Sequence, residues 1–133
     1  MDSEVFELRT GTRLVSDVTE IIRRFCAPRG SGLCHVFVPH ATAGLAIMEL
    51  GSGSDTDLAR WLQEAFPRDD RYSHSHGSRG HGADHLLPAL IAPSLSVPVR
   101  DGEVLLGTWQ SVVLVDPNPD NPQREVRVSF VEG

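Results

Sequence analysis

Apolar residues in this chain come in short runs broken by Gly, Pro and Ser, and none approaches the ~18 consecutive apolar residues that span a bilayer. The pattern predicts brief strands and helices in a globular domain with no membrane segment. No Ser/Gly linker or internal repeat divides the 133 residues, so residues 1–133 are read as one domain around one principal core.

Glu4 to Thr10 has the β-branched and aromatic content of a strand. Ser16 followed by Asp17, Val18, Ile21, Ile22 and Phe25 predicts an N-cap and a helix, stopped by the Gly/Pro-rich stretch from Pro28 to Gly32. Leu33 to Val38 and Thr42 to Leu50 read as buried strands. Ser54 with Asp57 three positions on predicts a capping box, and Leu58, Trp61, Leu62 and Ala65 continue as a helix until Pro67. Arg68 to Gly82 is polar and Gly-rich with almost no apolar side chains, so it is a loop. Asp84 to Ile91 reads as a short helix with Pro88 in its first turns.

Leu95, Val97 and Val99, then Asp101-Gly102, then Val104 to Leu106 predict a hairpin with a primed turn. Thr108 to Val115 reads as a buried strand, 117–122 as a loop, and Val126, Val128 and Phe130 alternate with Glu125, Arg127 and Ser129 in a closing strand. The C-terminal half reads as a β-meander. Strands outnumber helices and are joined mainly by turns, so the expected class is α+β: a largely antiparallel β-sandwich with two or three helices in a single domain.

Twelve basic against eighteen acidic residues give a formal charge of −6, which argues against a nucleic-acid partner. Met1-Asp2-Ser3-Glu4 lacks the positive flank and apolar stretch of a secretory signal, so a cytoplasmic location is expected. Cys26 and Cys34 are the two cysteines, are not in a Cys-x-x-Cys arrangement, and read as reduced core thiols.

His74, His76, His81 and His85, four of the six histidines, fall within one polar loop and the start of the next helix. Imidazole is the commonest ligand for zinc-like ions, and a loop lets several rings converge on one. A solvated loop is the plainer alternative. His40 stands between two apolar runs and needs a polar partner, as a structural or functional histidine. Glu49 ends an apolar strand as metal ligand, general base or exposed terminus. The loop Gly51 to Ser54 could cradle a phosphate, but Asp55 and Asp57 in the following turn oppose an anion. Gly107-Thr108-Trp109-Gln110 interrupts a β-branched run, as a ligand wall or as a bulge on the core. No GxSxG elbow or other nucleophile signature is present.

Taken together, His40-Ala41-Thr42-Ala43-Gly44, Glu49, Tyr72-Ser73-His74, His85-Leu86, the segment from Pro93 to Gly102, and Gly107-Thr108-Trp109-Gln110 resemble the YjbQ family, also called the secondary thiamine-phosphate synthase family. The resemblance runs over nearly the whole chain. It implies a small α+β protein, a homotrimer, and a histidine-containing site. Carried over by position, it implies His40, His74 and His85 as ligands of a divalent metal, zinc or magnesium. It likewise implies Glu49, as metal ligand or general base, and Asp57 as catalytic carboxylates, and Thr42, Trp109, Gln110 and Arg124 as ligand-binding residues. His76 and His81 match nothing recurrent in the family and are left as loop histidines. Met48 and the short Gly51–Ser54 turn depart from the family pattern, as does Asp84 beside His85.

The function so implied is a metal-assisted, thiamine-phosphate synthase-like transferase acting on a phosphorylated small molecule. Arg100 or Arg124 would stabilise the departing charge. A metal-dependent hydrolase is the alternative chemistry, and a non-enzymatic trimeric metal- or metabolite-binding protein the alternative class.

Overall fold

The computed structural model describes residues 1–133 and contains eight strands and four helical segments. In chain order these are β1 (Asp2–Arg9), β2 (Val15–Asp17), α1 (Thr19–Cys26), β3 (Gly32–Phe37), β4 (Gly44–Met48) and α2 (Ser54–Ala65). They continue with α3 (His81–Asp84), α4 (Leu87–Leu90), β5 (Ser94–Arg100), β6 (Glu103–Val104), β7 (Ser111–Val115) and β8 (Gln123–Glu132). Every strand pairing is antiparallel, in a five-stranded sheet ordered β1-β8-β3-β5-β6 and a three-stranded sheet ordered β2-β7-β4. The class is α+β with a sandwich of two antiparallel sheets, as expected.

Strand β7 explains the layering. Val112 and Leu114 join the main core with Ile22 and Phe25 of α1, Val36 of β3, and Val126 and Val128 of β8. Val113 and Val115 point to the opposite face and pack with Leu62 of α2 and Leu87 of α4. The three-stranded sheet is therefore covered on both faces, which is why its central strand is an unbroken apolar run and not an alternating one. In β8 one face is wet, and Glu125 and Arg127 alternate outward against buried Val126 and Val128.

Five local expectations are corrected. Ser16 is not a helix cap: it lies in β2 opposite Leu114, and Asp17 takes the Thr19 N–H at 2.9 Å instead. The capping box at Ser54 does not form; α2 starts from Gly53 at φ 92° with no side-chain cap. The strand read from Thr108 begins at Ser111, because Gln110 folds back to accept the Gly107 N–H at 2.8 Å. The C-terminal half is not a meander, since β7 leaves the sheet that holds β5, β6 and β8. The helix read from Asp84 to Ile91 is cut to the single turn α4, with Pro88 near its start, and a separate turn, α3, ends at Asp84. Cys26 and Cys34 are both free and buried. No helix is long and apolar enough to cross a membrane.

Candidate metal centre

The polar loop after α2 folds back on itself because glycines permit close approach. A Cβ on Gly82 would stand 2.3 Å from the His74 carbonyl oxygen and 2.7 Å from Tyr72 Cβ, and one on Gly80 would stand 2.4 Å from Arg68 Cβ. Tyr72 anchors the loop by donating its hydroxyl to the Pro67 carbonyl at 2.8 Å. The result is a convergence of four rings: His74, His76, His81 and His85 each offer a ring nitrogen, and these atoms all lie within 4.8 Å of one another. His74 is central, with ring centroids 4.0 Å from both His76 and His85.

Two features make this cluster chemically poised. His74 Nε2 is shielded from solvent and has no hydrogen-bond partner, an uncompensated polar atom of the kind folded proteins rarely leave unused. Burial, reinforced by neighbouring rings, holds His74 and His85 below the ordinary histidine pKa, which keeps them in the neutral form that ligates metals.

His81 is oriented from behind. Its Nδ1 lies 2.6 Å from Asn118 Nδ2 and 3.2 Å from Asp120 Oδ2, while its Nε2 lies 2.7 Å from His85 Nε2. Asn118 Oδ1 already accepts the Asp120 N–H, so its Nδ2 is the group facing His81. These partners assign Nδ1 as acceptor and Nε2–H as donor toward His85. Asp120 offers an acceptor for the other tautomer, the one that frees Nε2 as a ligand.

Behind Asn118 lies a buried polar network. Asp116 accepts hydrogen bonds from Thr42 Oγ1 and from the Asn118 N–H, each at 2.9 Å, and pairs with the Arg124 guanidinium. Thr42, Asp116 and Arg124 are all buried. Asp84, next to His85, is 1% exposed and pairs with Arg68 at 3.2 Å; burial pushes its carboxyl up to about 6.

The residues singled out in the sequence are distributed unevenly about this centre. His74 and His85 meet in it together with His76 and His81, the two left as loop histidines. His40 lies outside the group: its Nε2 accepts the Glu125 N–H at 2.8 Å. Thr42 and Arg124 stand behind it in the Asp116 network. Glu49 is exposed and accepts from Ser52 at 3.2 Å, and Asp57 is exposed and faces Arg60 at 3.8 Å. Trp109 is 73% exposed, and Gln110 closes the turn before β7. Sequence reading missed Asp116, Asn118 and Asp120. Their signal is the every-second-residue spacing of Asx side chains, in which Asp116 and Asn118 each accept the N–H two positions on.

A small antiparallel α+β sandwich carrying a histidine centre on a glycine-rich loop is the class of protein that the fold and site define. The family model described as UPF0047 protein YjbQ-like matches residues 4–133, and the chain belongs to that family. It is 62% identical to the UPF0047 protein Rv2556c of Mycobacterium tuberculosis over 133 residues, covering 100% of both chains. Among solved structures it is similar to hypothetical protein APE1520 from Aeropyrum pernix K1, with a TM-score of 0.88, 28% identity and 100% of both chains covered. It shares the fold of a YbjQ-like protein of unknown function, SSO2532 from Sulfolobus solfataricus P2, with a TM-score of 0.90 at 21% identity, over 99% of this chain and 97% of that one.

Proposed function

We propose that this protein holds a divalent transition-metal ion between His74, His76, His81 and His85, and uses the loaded site in chemistry on a phosphorylated small molecule. The observation that carries the reading is the solvent-shielded, unpartnered Nε2 of His74 inside a ring of three other imidazoles. An all-imidazole donor set favours zinc-like ions over magnesium, which prefers oxygen ligands. Such an ion, when bound, supplies Lewis acidity toward phosphoryl oxygens.

His81 and His85 are half-buried, whereas His76 is exposed, so His76 is the ring we assign as the one that can leave and open one side of the site to solvent. That opening separates a catalytic site, which keeps a vacant position, from a closed four-ligand storage site. Thiamine-phosphate synthase-like transfer is the activity implied by the family resemblance, with hydrolysis as the alternative chemistry. The homotrimer is likewise implied by that resemblance.

Elemental analysis of tag-free, desalted protein tests the metal. Near-stoichiometric zinc in the wild type and its loss in His85→Ala are expected; metal-free protein that also fails to take up added zinc would reject the proposal. Retention of near-stoichiometric zinc by His76→Ala would favour the open, three-ligand form, and its loss would favour the closed four-ligand storage site.

A further inference from the structure

A cavity of about 130 Å³ opens beside the histidine cluster, and His74, His76 and His81 form part of its wall. One of its twelve lining residues is hydrophobic, so the space suits a polar ligand and not a bare ring. The volume is close to that of engineered cavities of about 150 Å³ that accept benzene, which leaves room for a phosphoryl group.

Three arginines belong to this loop, and two are already engaged. Arg68 pairs with Asp84 at 3.2 Å and donates to the carbonyls of Pro117 and Arg79. Arg71 grips Asp69 through both carboxylate oxygens, at 2.7 and 2.8 Å. Arg79 is the third: it is exposed, lines the cavity, and its guanidinium enters no ion pair or hydrogen bond. Its backbone is fixed all the same. The Arg79 carbonyl accepts from Arg68 at 3.1 Å, and the next residue, Gly80 at φ 84°, packs where a Cβ would stand 2.4 Å from Arg68 Cβ. The hydrogen bonds from Arg71, and then the positive charges of Arg71 and Arg79, hold the Asp69 carboxyl below the usual carboxylate range, which places the Arg79 charge on the side of the cavity that Asp69 also lines.

The charges of the wall then decide the ligand. Asp69 is met by Arg71, and exposed Asp70, the other carboxylate in the wall, offsets Arg79. A divalent ion on the neighbouring rings makes the cavity positive, which favours a dianion. We propose that Arg79 binds the phosphoryl group of the substrate in this cavity, beside the four-histidine centre. A guanidinium presents parallel N–H donors that match two phosphoryl oxygens, and a held backbone with an uncommitted side chain leaves Arg79 able to close on them. The substrate class rests on the reading of the metal centre given above, but the hydrogen bonds from Arg79 require no bound ion.

Amide NMR titration with inorganic phosphate tests the proposal, run on the full chain both metal-free and zinc-loaded, with zinc content measured on the same samples. The zinc-loaded wild type should bind phosphate with shifts in residues 74–82, and the metal-free protein should bind it more weakly. Arg79→Gln should weaken binding at least about tenfold in each form, as loss of a charge-assisted hydrogen bond does, with zinc content unchanged. Arg24→Gln removes the same charge from the exposed side of α1 and should leave phosphate affinity at the wild-type value. Equal affinity in Arg79→Gln and wild type would overturn the proposal. So would an equal loss in Arg24→Gln, shifts confined to other parts of the chain, or no binding to the wild type in either form. Failure to take up zinc would remove the four-histidine centre, while the metal-free comparison of Arg79→Gln with wild type would still decide the role of Arg79.

Discussion

Asn118 Nδ2 lies 2.6 Å from His81 Nδ1, which ties the histidine cluster to a buried ion pair on the far side of the loop. From Arg124 through Asp116 and Asn118 to His81, each group is held by the one before it. The chain of contacts fixes the ring that bridges to His85, and gives each member a measurable consequence.

Asp120 is the acceptor for a proton on His81 Nδ1 when Nε2 turns to a metal. Asp120→Asn should weaken zinc binding by about 10–100-fold, the usual cost of losing a carboxylate behind a ligating histidine. Competition against a chromophoric chelator reads this directly; unchanged affinity would remove Asp120 from the site.

Asp116 and Arg124 are each 4% exposed. Asp116→Ala strands a buried guanidinium and should cost about 3–5 kcal/mol. Thr42→Val removes one hydrogen bond to the same carboxylate and should cost only ~1 kcal/mol. Urea unfolding of both variants checks the order as well as the sizes.

Gly82→Ala drives a methyl group into the His74 carbonyl and the Tyr72 side chain. Overpacking of this kind should destabilise the protein by about 1–3 kcal/mol. It should also displace His74, so a fall in zinc affinity is expected along with a lower melting temperature.

The histidine cluster was legible because its four members lie within 74–85, where the absence of apolar side chains already marks a loop. The Asp101-Gly102 hairpin was legible for a similarly local reason: both residues adopt positive φ, 50° and 79°, as a primed turn requires. What failed was non-local. Ser16 has the chemistry of a helix cap but is claimed by pairing with β7, and Thr108 has strand propensity but sits in the turn that Gln110 closes. His81 matched no recurrent family position, and its importance comes from Asn118, thirty-seven residues away. His40 carries the family motif, yet its ring is used to cap the Glu125 N–H.

Burial, and then the charge of Arg124, hold His40 below its ordinary pKa in the folded protein. A depressed folded pKa means that the unfolded chain binds the proton more readily, so this contribution is present above about pH 6.5 and lost as pH falls through the folded value. Asp84 works in the opposite sense: its folded pKa is raised to about 6, so its stabilisation is full below the unfolded carboxylate range and is lost as pH rises through 6. The two effects overlap, and the difference between wild type and His40→Gln isolates the first. Urea midpoints at pH 7.5 and 5.5 should fall less in the variant than in the wild type; identical falls would show that His40 does not contribute.

X-ray absorption at the zinc edge of the zinc-loaded, tag-free protein tests the four-histidine centre most directly. The account predicts a first shell of nitrogen at about 2.0–2.1 Å with imidazole outer-shell scattering, losing one imidazole in His81→Ala. An oxygen-dominated shell, or a spectrum unchanged by substitution of His74 and of His81, would contradict it.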